Sequence, residues 1–497
     1  MLLAAVFIST LILTLVLFRR RKGPVPPGPK GWPIIGNLFD IPEKYPWKVF
    51  QKWSETNGSD MLLIRLPGIW ILHLNTSRSI QDLLVKRSAI YSDRPQSTML
   101  GLTGFTWPFS LMPYGSKWRE NRRIFTREFN IEIVRPHALQ SARRLLPRLL
   151  NSDINYSKQI RLASSDAILS AAYGISPKSE EDYFVGLAES LSNALTDCLR
   201  SPYLGEYAIS SSTERKNSCF IVDMFPIIKH IPAWFPGAKF KHQASEWRIL
   251  SDNVQTKAYE HVKSEMDAGT AVPCVATKVI AALRSNSLDC SESSIRKKKL
   301  IFVSLSKLTG LKQTVGAICS FILTMALFPD IQAKAYDSII AVIGPHRLPD
   351  FSDFGKIPYI DAVINEVFRW NPLAPFGVFR SVTQDDYYDG YFIPKGTIVR
   401  GNAWAVMHDA AIYGPSTQNF NPERFLLPDG SRNKAIPDAD GAFGFGRRRC
   451  PSQAVGLDMV WINVVSILAT YEIGEPIGED GKRLDPDQIE YTNSMNR

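Results

Sequence analysis

The sequence has little to staple it. Its 497 residues hold six cysteines (198, 219, 274, 290, 319 and 450), with no CxxC pair and no framework spacing. That excludes a disulfide-stapled secreted scaffold and favours a reducing compartment. Low-complexity tracts are missing, and so are internal repeats. With 45% hydrophobic and 21% charged residues and a mean hydropathy of -0.09, the chain is neither fibrous nor broadly disordered. Neither sign of charge dominates strongly. Lys+Arg 58 against Asp+Glu 48 gives +10 and a pI near 9.2. The excess is spread along the chain apart from one N-terminal run. It therefore favours an anionic membrane surface or an acidic protein partner, and no nucleic acid.

What the chain does have begins at its N-terminus. Residues 2–18 (LLAAVFISTLILTLVLF) are uncharged and mostly apolar. As a helix they span about 25 Å, enough for a tilted or slightly short membrane crossing. Arg19, Arg20, Arg21 and Lys22 follow at once. A cleaved signal carries its charge before the apolar run, whereas here it comes after. The expectation is a single-pass transmembrane anchor, 1–18, with the body facing the cytosol. Residues 19–44 then read as a basic and proline-rich hinge, and 45–497 as one domain. Strand signals stand at 61–74 and 377–400, and helical patterns at 117–130, 137–150, 315–343, 358–370 and 451–470. Residues 205–219 and 266–300 read as loops.

Four short motifs carry chemistry. Phe443-Gly-Phe-Gly-Arg-Arg-Arg-Cys450 leads into an apolar helix. A cysteine just before a helix N-terminus is stabilised as thiolate by the dipole and free N–H groups. Arg448 can add charge or reach an anionic cofactor edge. Glu366 and Arg369 lie at i, i+3 in PYIDAVINEVFRW and share one helix face. Phe420-Asn-Pro-Glu-Arg424-Phe425 places an arginine able to dock on that pair in a three-member buried network. Trp118-Arg-Glu-Asn-Arg122 places an arginine one turn from an indole, suited to holding a carboxylate bidentately. Taken singly, these residues also fit an inert buried cysteine and a surface ion pair.

Together, in this order, the motifs make the chain resemble the cytochrome P450 family of haem-thiolate monooxygenases, with the look of a fungal microsomal member. The match runs from the anchor to about residue 495 and includes PPGPKGWPIIGN. The resemblance implies a mainly α fold with a small β portion, a single haem-thiolate domain behind one N-terminal transmembrane helix. It implies haem b, with Cys450 as axial thiolate to the iron, and Phe443 beside the sulfur. Trp118, Arg122, Arg448 and Arg380 match positions that bind haem propionates. Glu366, Arg369 and Arg424 match a structural network behind the haem. The reaction implied is NADPH- and O2-dependent hydroxylation of a small apolar molecule, in secondary metabolism or xenobiotic oxidation. A terpenoid, polyketide or aromatic compound is the implied class. Electrons would come through an NADPH-dependent reductase docking near 447–449, at the endoplasmic reticulum membrane. Pocket walls are expected from 99–113, from around 200–235 and from 371–379.

The chain departs from that pattern at its central helix. The oxygen-activation motif falls on residues 309–314, where Lys312 replaces the acid, Gln313 replaces the first threonine, and Thr314 remains one position late as the candidate catalytic hydroxyl. The C-terminal end also reads as short of the family's final hairpin. These departures leave an alternative: a redox-neutral haem-thiolate isomerase or dehydratase, or an inactive chain whose residues 205–219 and 296–313 are translated intron.

Overall fold

The computed structural model describes residues 23–42, 44–150, 155–199, 221–284 and 311–477. The anchor and basic run at 1–22, the loop at 205–219, residues 296–310 and the chain beyond 477 lie outside the described residues.

Helices dominate. In chain order, leaving aside the single turns Ser77–Ile80 and Ala410–Tyr413, they are α1 (Pro46–Thr56), α2 (Thr98–Leu102), α3 (Ser116–Glu128), α4 (Ile131–Arg148), α5 (Tyr156–Tyr173), α6 (Tyr183–Leu199) and α7 (Ile221–Met224). After these come α8 (Lys239–Ala268), α9 (Val275–Arg284), α10 (Leu311–Leu327), α11 (Pro329–Ile343), α12 (Pro358–Trp370), α13 (Ala403–Met407) and α14 (Gln453–Thr470). Two expectations shift. The helical pattern at 315–343 is two helices bent by 111° at Phe328-Pro329, because proline starts a helix readily but cannot continue one. The loop expected at 266–300 begins instead with the end of α8 and then α9. Cys274 and Thr277 cap the start of α9 reciprocally through N–H···Oγ1 at 2.9 Å and N–H···Sγ at 3.4 Å.

The strands are few and short, as the patterning predicts. β1 (Met61–Leu66) and β2 (Ile69–Leu74) form a hairpin around Pro67-Gly68. β3 (Arg380–Ser381), β4 (Asp386–Tyr388), β5 (Tyr391–Ile393) and β6 (Ile398–Gly401) follow. The main sheet runs β1-β2-β6-β3, with β2 and β6 parallel and the other pairs antiparallel, while β4 and β5 pair alone. The proline-rich stretch is bonded to both sheets. The Pro24 carbonyl accepts the Phe392 N–H at 2.7 Å and the Pro27 carbonyl accepts that of Leu63 at 2.8 Å. Proline keeps its acceptor while lacking a donor, so it suits such an edge. Gly28 lets the backbones approach, since a Cβ there would stand 1.9 Å from the Leu63 oxygen.

The principal core joins α4, α5, α10, α12 and α14. α14 is apolar on nearly all sides and two-thirds buried, as a central core helix must be. A second core lies under the sheet, where Trp47 and Phe50 of α1 meet Ile64, Ile71, Phe376 and Phe379. Phe376 and Phe379, expected to line a pocket, belong to this second core. Of the stretch around 200–235, residues 200–220 lie outside the described residues, Val222 is buried, and Phe225, Ile227, Trp234 and Phe235 point outward, with Trp234 80% exposed.

Candidate haem-thiolate site

The cysteine loop is held from three sides. The Cys450 N–H donates to the Phe443 carbonyl at 2.9 Å, closing the loop on itself. The Phe443 ring packs on Phe368 of α12 with centroids 5.0 Å apart. Gly446, at φ +52, brings the loop against the chain beside it, where a Cβ would lie 2.0 Å from the Leu84 oxygen. Cys450 itself is half-buried, its Sγ 3.5 Å from the Ser452 hydroxyl, and α14 begins three residues later. Cys450 thus stands just before the N-terminus of a long helix.

Behind the loop stands the buried ion network. Arg369 grips Glu366 through Nε at 2.6 Å and Nη2 at 2.8 Å, with both side chains fully buried. Arg424 adds Nε at 3.2 Å, and the Asn421 N–H donates to the same carboxylate at 2.7 Å. The remaining Arg369 donors reach the carbonyls of Met407 at 3.0 Å and Thr417 at 2.8 Å. Every lone pair and proton here has a partner, the condition under which a buried ion group is tolerable. The neighbouring Phe368 carries this rigidity to Phe443 and so to Cys450.

In front of the loop four guanidiniums converge. Arg448 lies over the Trp118 ring at 4.5 Å, and Arg122 lies over it at 5.5 Å. Arg448 donates to the carbonyls of Ser92 (2.8 Å), Met112 (2.7 Å) and Phe109 (3.4 Å). Arg122 donates to the Arg449 carbonyl at 2.8 Å. Arg380 donates to the Phe445 carbonyl, and Arg94 to those of Ser110 (2.8 Å), Val378 (3.0 Å) and Phe379. Burial, then the charge of Arg448, pulls Arg380 down to about 9; burial likewise brings Arg448 to about 10. Both remain charged at neutral pH, yet each is short of solvation. Burial, followed by repulsion from Arg448 and Arg380, also lowers Arg94 well below the usual arginine range.

Asp93 is the carboxylate that acts on Arg94 and Arg448, and its Oδ1 already accepts the N–H groups of Arg94 and Tyr114 at 2.9 and 2.8 Å. The Trp118 Nε1–H is buried with no hydrogen-bond partner. Crowded, desolvated cations and an orphaned donor, beside a half-exposed thiol and an aromatic ring, fit an anionic macrocycle ligated by sulfur. The residues present suit haem.

The structure therefore gathers Cys450, Phe443, Trp118, Arg122, Arg448 and Arg380 in one place and sets Glu366, Arg369 and Arg424 behind them. Arg94 and Asp93 escaped the sequence reading. The one local hint is Arg94-Pro95, which favours an extended backbone but says nothing of burial. Thr314 stands half-buried near the start of α10, and among the described residues no hydrogen bond or ion pair joins it to this cluster. Lys312 reaches α6 instead, donating to Asn193 Oδ1 at 2.7 Å. Of the basic run, Arg447 is the exposed member; Arg448 turns inward and Arg449 pairs with Asp440 at 2.6 Å.

A family model described as cytochrome P450 matches residues 26–491. The chain is 48% identical over 478 residues to the cytochrome P450 monooxygenase eriA of Hericium erinaceus, covering 96% of this chain and 87% of that protein. It is 35% identical to cytochrome P450 monooxygenase 98 of Postia placenta (95% and 88% covered). It is 33% identical to the tryptamine 4-monooxygenase of Psilocybe cyanescens (94% and 90% covered).

Proposed function

The chain belongs to the cytochrome P450 family and is a haem-thiolate monooxygenase, and from that premise we propose that it hydroxylates a small apolar molecule with electrons relayed from NADPH by a reductase. The observation that carries the site assignment is the meeting of a half-exposed Cys450 with four desolvated guanidiniums and the orphaned Trp118 N–H. Bound there, haem supplies reductive activation of O2, with one oxygen entering the substrate and the other leaving as water. Cys450 would hold the iron. Arg122, Arg380, Arg448 and Trp118 would hold the propionates by charge-assisted hydrogen bonds. Phe443 shields the sulfur from water, and Glu366, Arg369 and Arg424 hold the scaffold that aims it.

Met99, Leu100, Phe105, Trp107 and Phe109 are buried between this cradle and the α7–α8 layer. Their apolar character supports an apolar substrate. Thr314, in the helix that carries the altered motif, is the proposed hydroxyl of the oxygen-side proton path. Exposed Arg447, with the exposed Lys117, Arg119 and Arg123 of α3, supports docking of an acidic reductase. The apolar run 2–18 with its following basic residues supports a single-pass anchor in the endoplasmic reticulum membrane, body toward the cytosol. The outward side chains of Trp32, Ile34, Phe225, Ile227 and Trp234 add apolar surface suited to lie against lipid. The Lys312 and Gln313 departures motivate the redox-neutral or inactive alternative, and the similarity to relatives named monooxygenases supports the monooxygenase reading over it.

The test is a reduced, carbon-monoxide difference spectrum of the full chain beside a Cys450→Ala control. The expected result is a strongly red-shifted Soret band that the control lacks. A haem band unchanged by Cys450→Ala would refute the ligand assignment, and no haem band at all would refute the function.

A further inference from the structure

Ser452 stands where a helix is normally capped, yet its side chain caps nothing. It is the residue before α14, and its carbonyl accepts the Gly456 N–H at 2.8 Å. A serine there usually turns its hydroxyl to the free N–H groups of the first turn, which stabilises the helix. Here the side chain makes no such bond. Among the described residues its hydroxyl meets one partner, the Cys450 sulfur, at 3.5 Å. Between the two lies Pro451, which has no N–H to offer the sulfur. The turn beside Cys450 thus lacks one backbone donor and carries a side-chain donor one residue further on.

That turn is pinned on both flanks. The Arg449 N–H donates to the Gly446 carbonyl at 3.1 Å, and the Arg449 carbonyl accepts Arg122 Nη2 at 2.8 Å. Across the turn, Arg449 Nε donates to Gln453 Oε1 at 2.7 Å. Asp440 closes the clip, accepting Gln453 Nε2 at 2.7 Å and pairing with Arg449 Nη2 at 2.6 Å. The clip is partly exposed, so its ion pair contributes little stability. Its effect is geometric. Residues 449 and 453 are held on either side of Cys450, Pro451 and Ser452, which fixes the backbone that carries both sulfur and hydroxyl.

A protonated thiol can donate to that hydroxyl or accept from it. A thiolate on iron has no proton, so the hydroxyl then donates. Hydrogen bonds to a charged acceptor are among the stronger ones. Sulfur gives up less charge to ferrous than to ferric iron, so the bond is stronger in the reduced state and favours it.

We propose that Ser452 is a positioning residue that acts through Cys450, donating a hydrogen bond to its thiolate and raising the reduction potential of the haem iron. The proposal rests on the haem-thiolate reading of the site.

The experiment uses the full chain, haem-loaded in detergent, as parent, Ser452→Ala, Ser452→Gly and Ser452→Thr. Each is titrated with dithionite in the presence of redox mediators and followed at the Soret band. At the parent's midpoint the reduced-to-oxidised ratio should fall about threefold to tenfold in Ser452→Ala, tenfold being about 59 mV for one electron. Ser452→Gly, which also lacks the hydroxyl, should match it. Ser452→Thr keeps the hydroxyl and should stay within about twofold of the parent. The iron–sulfur stretching frequency of the ferric protein, read by resonance Raman scattering, should rise in Ser452→Ala and hold in Ser452→Thr. The unfolding midpoint of Ser452→Ala should not move, since no capping bond is lost. An ordinary helix cap predicts the opposite, a lower unfolding midpoint with an unmoved potential, and that result would overturn the proposal. A potential that rises in Ser452→Ala, or one that falls as far in Ser452→Thr, would overturn it too. A parent without a haem band refutes the haem-thiolate reading and this proposal together. A parent with the red-shifted band, and a potential untouched by losing the hydroxyl, refutes this proposal alone.

Discussion

Replacing Arg369 by alanine puts the network behind Cys450 under the most direct strain. The guanidinium makes two bonds to Glu366 and reaches the carbonyls of Met407, Thr417 and Asn419, with no part of the side chain exposed. Its loss leaves a buried carboxylate with one remaining cation and strips donors from three carbonyls. Breaking a buried ion pair from one side costs about 3–5 kcal/mol. That is a large share of the roughly 5–15 kcal/mol that holds a domain folded. Glu366→Gln should cost as much, because Arg369 and Arg424 would then face each other without their shared anion. Arg424→Ala should cost less, about 1.5–3 kcal/mol, since Glu366 keeps its two-pronged partner. The assay is denaturant unfolding of the haem-loaded variants, followed together by far-ultraviolet circular dichroism and the Soret band, and read as midpoint shifts at constant slope. Haem should be lost in step with the fold, because the network reaches the site through Phe368 and Phe443 and touches no ligand itself. The double variant Glu366→Gln/Arg369→Ala should fall short of the summed single costs by about 0.5–3 kcal/mol. Strict additivity, or an Arg424→Ala variant as unstable as Arg369→Ala, would refute the reading of these residues as one coupled unit.

Three further outcomes follow from the geometry. Trp118→Phe keeps the ring under Arg448 and removes an N–H that has no protein partner, so folding should be unaffected while haem dissociates roughly tenfold or more faster, measured by transfer to a haem scavenger. Gly446→Ala forces a Cβ against the Leu84 oxygen at positive φ, and should cost about 2–4 kcal/mol and show as loss of haem-loaded protein on expression. Asp361 is pushed up to about 6 by burial and then by the charge of Asp438. Its unfolded value lies near 3.9. Between pH 4 and 6 the native state therefore binds more protons than the unfolded one, so this residue's contribution falls as pH rises through that window and is flat above it. Asp361→Asn should abolish that slope and exceed the parent above pH 6 by up to about 3 kcal/mol, read from unfolding midpoints across pH 4–7.

Much of the site was legible along the chain because its signals are local. A cysteine before an apolar helix, a Glu–Arg pair one turn apart, an indole one turn from an arginine and a hairpin at 61–74 are each written within a few residues. Helix and strand periodicities report the face that each element buries, and α12 lies at the residues its pattern predicts. The misplacements share a different cause. Nothing in residues 225–235 distinguishes apolar side chains that line a cavity from those that face outward. Nor does the 371–379 stretch reveal that Phe376 and Phe379 serve the core beneath the sheet.

The sequence by itself determined the mainly helical architecture, the cysteine placed before a helix that we propose as the ligand, and the carboxylate and arginines of the network, since each depends on residue type at short spacing. Only the tertiary structure decided which of three consecutive arginines turns inward and that Arg94 joins the cradle. Those outcomes depend on which distant carbonyls and charges meet after loop closure, and a buried cation or carboxylate is defined by such partners rather than by its neighbours in sequence.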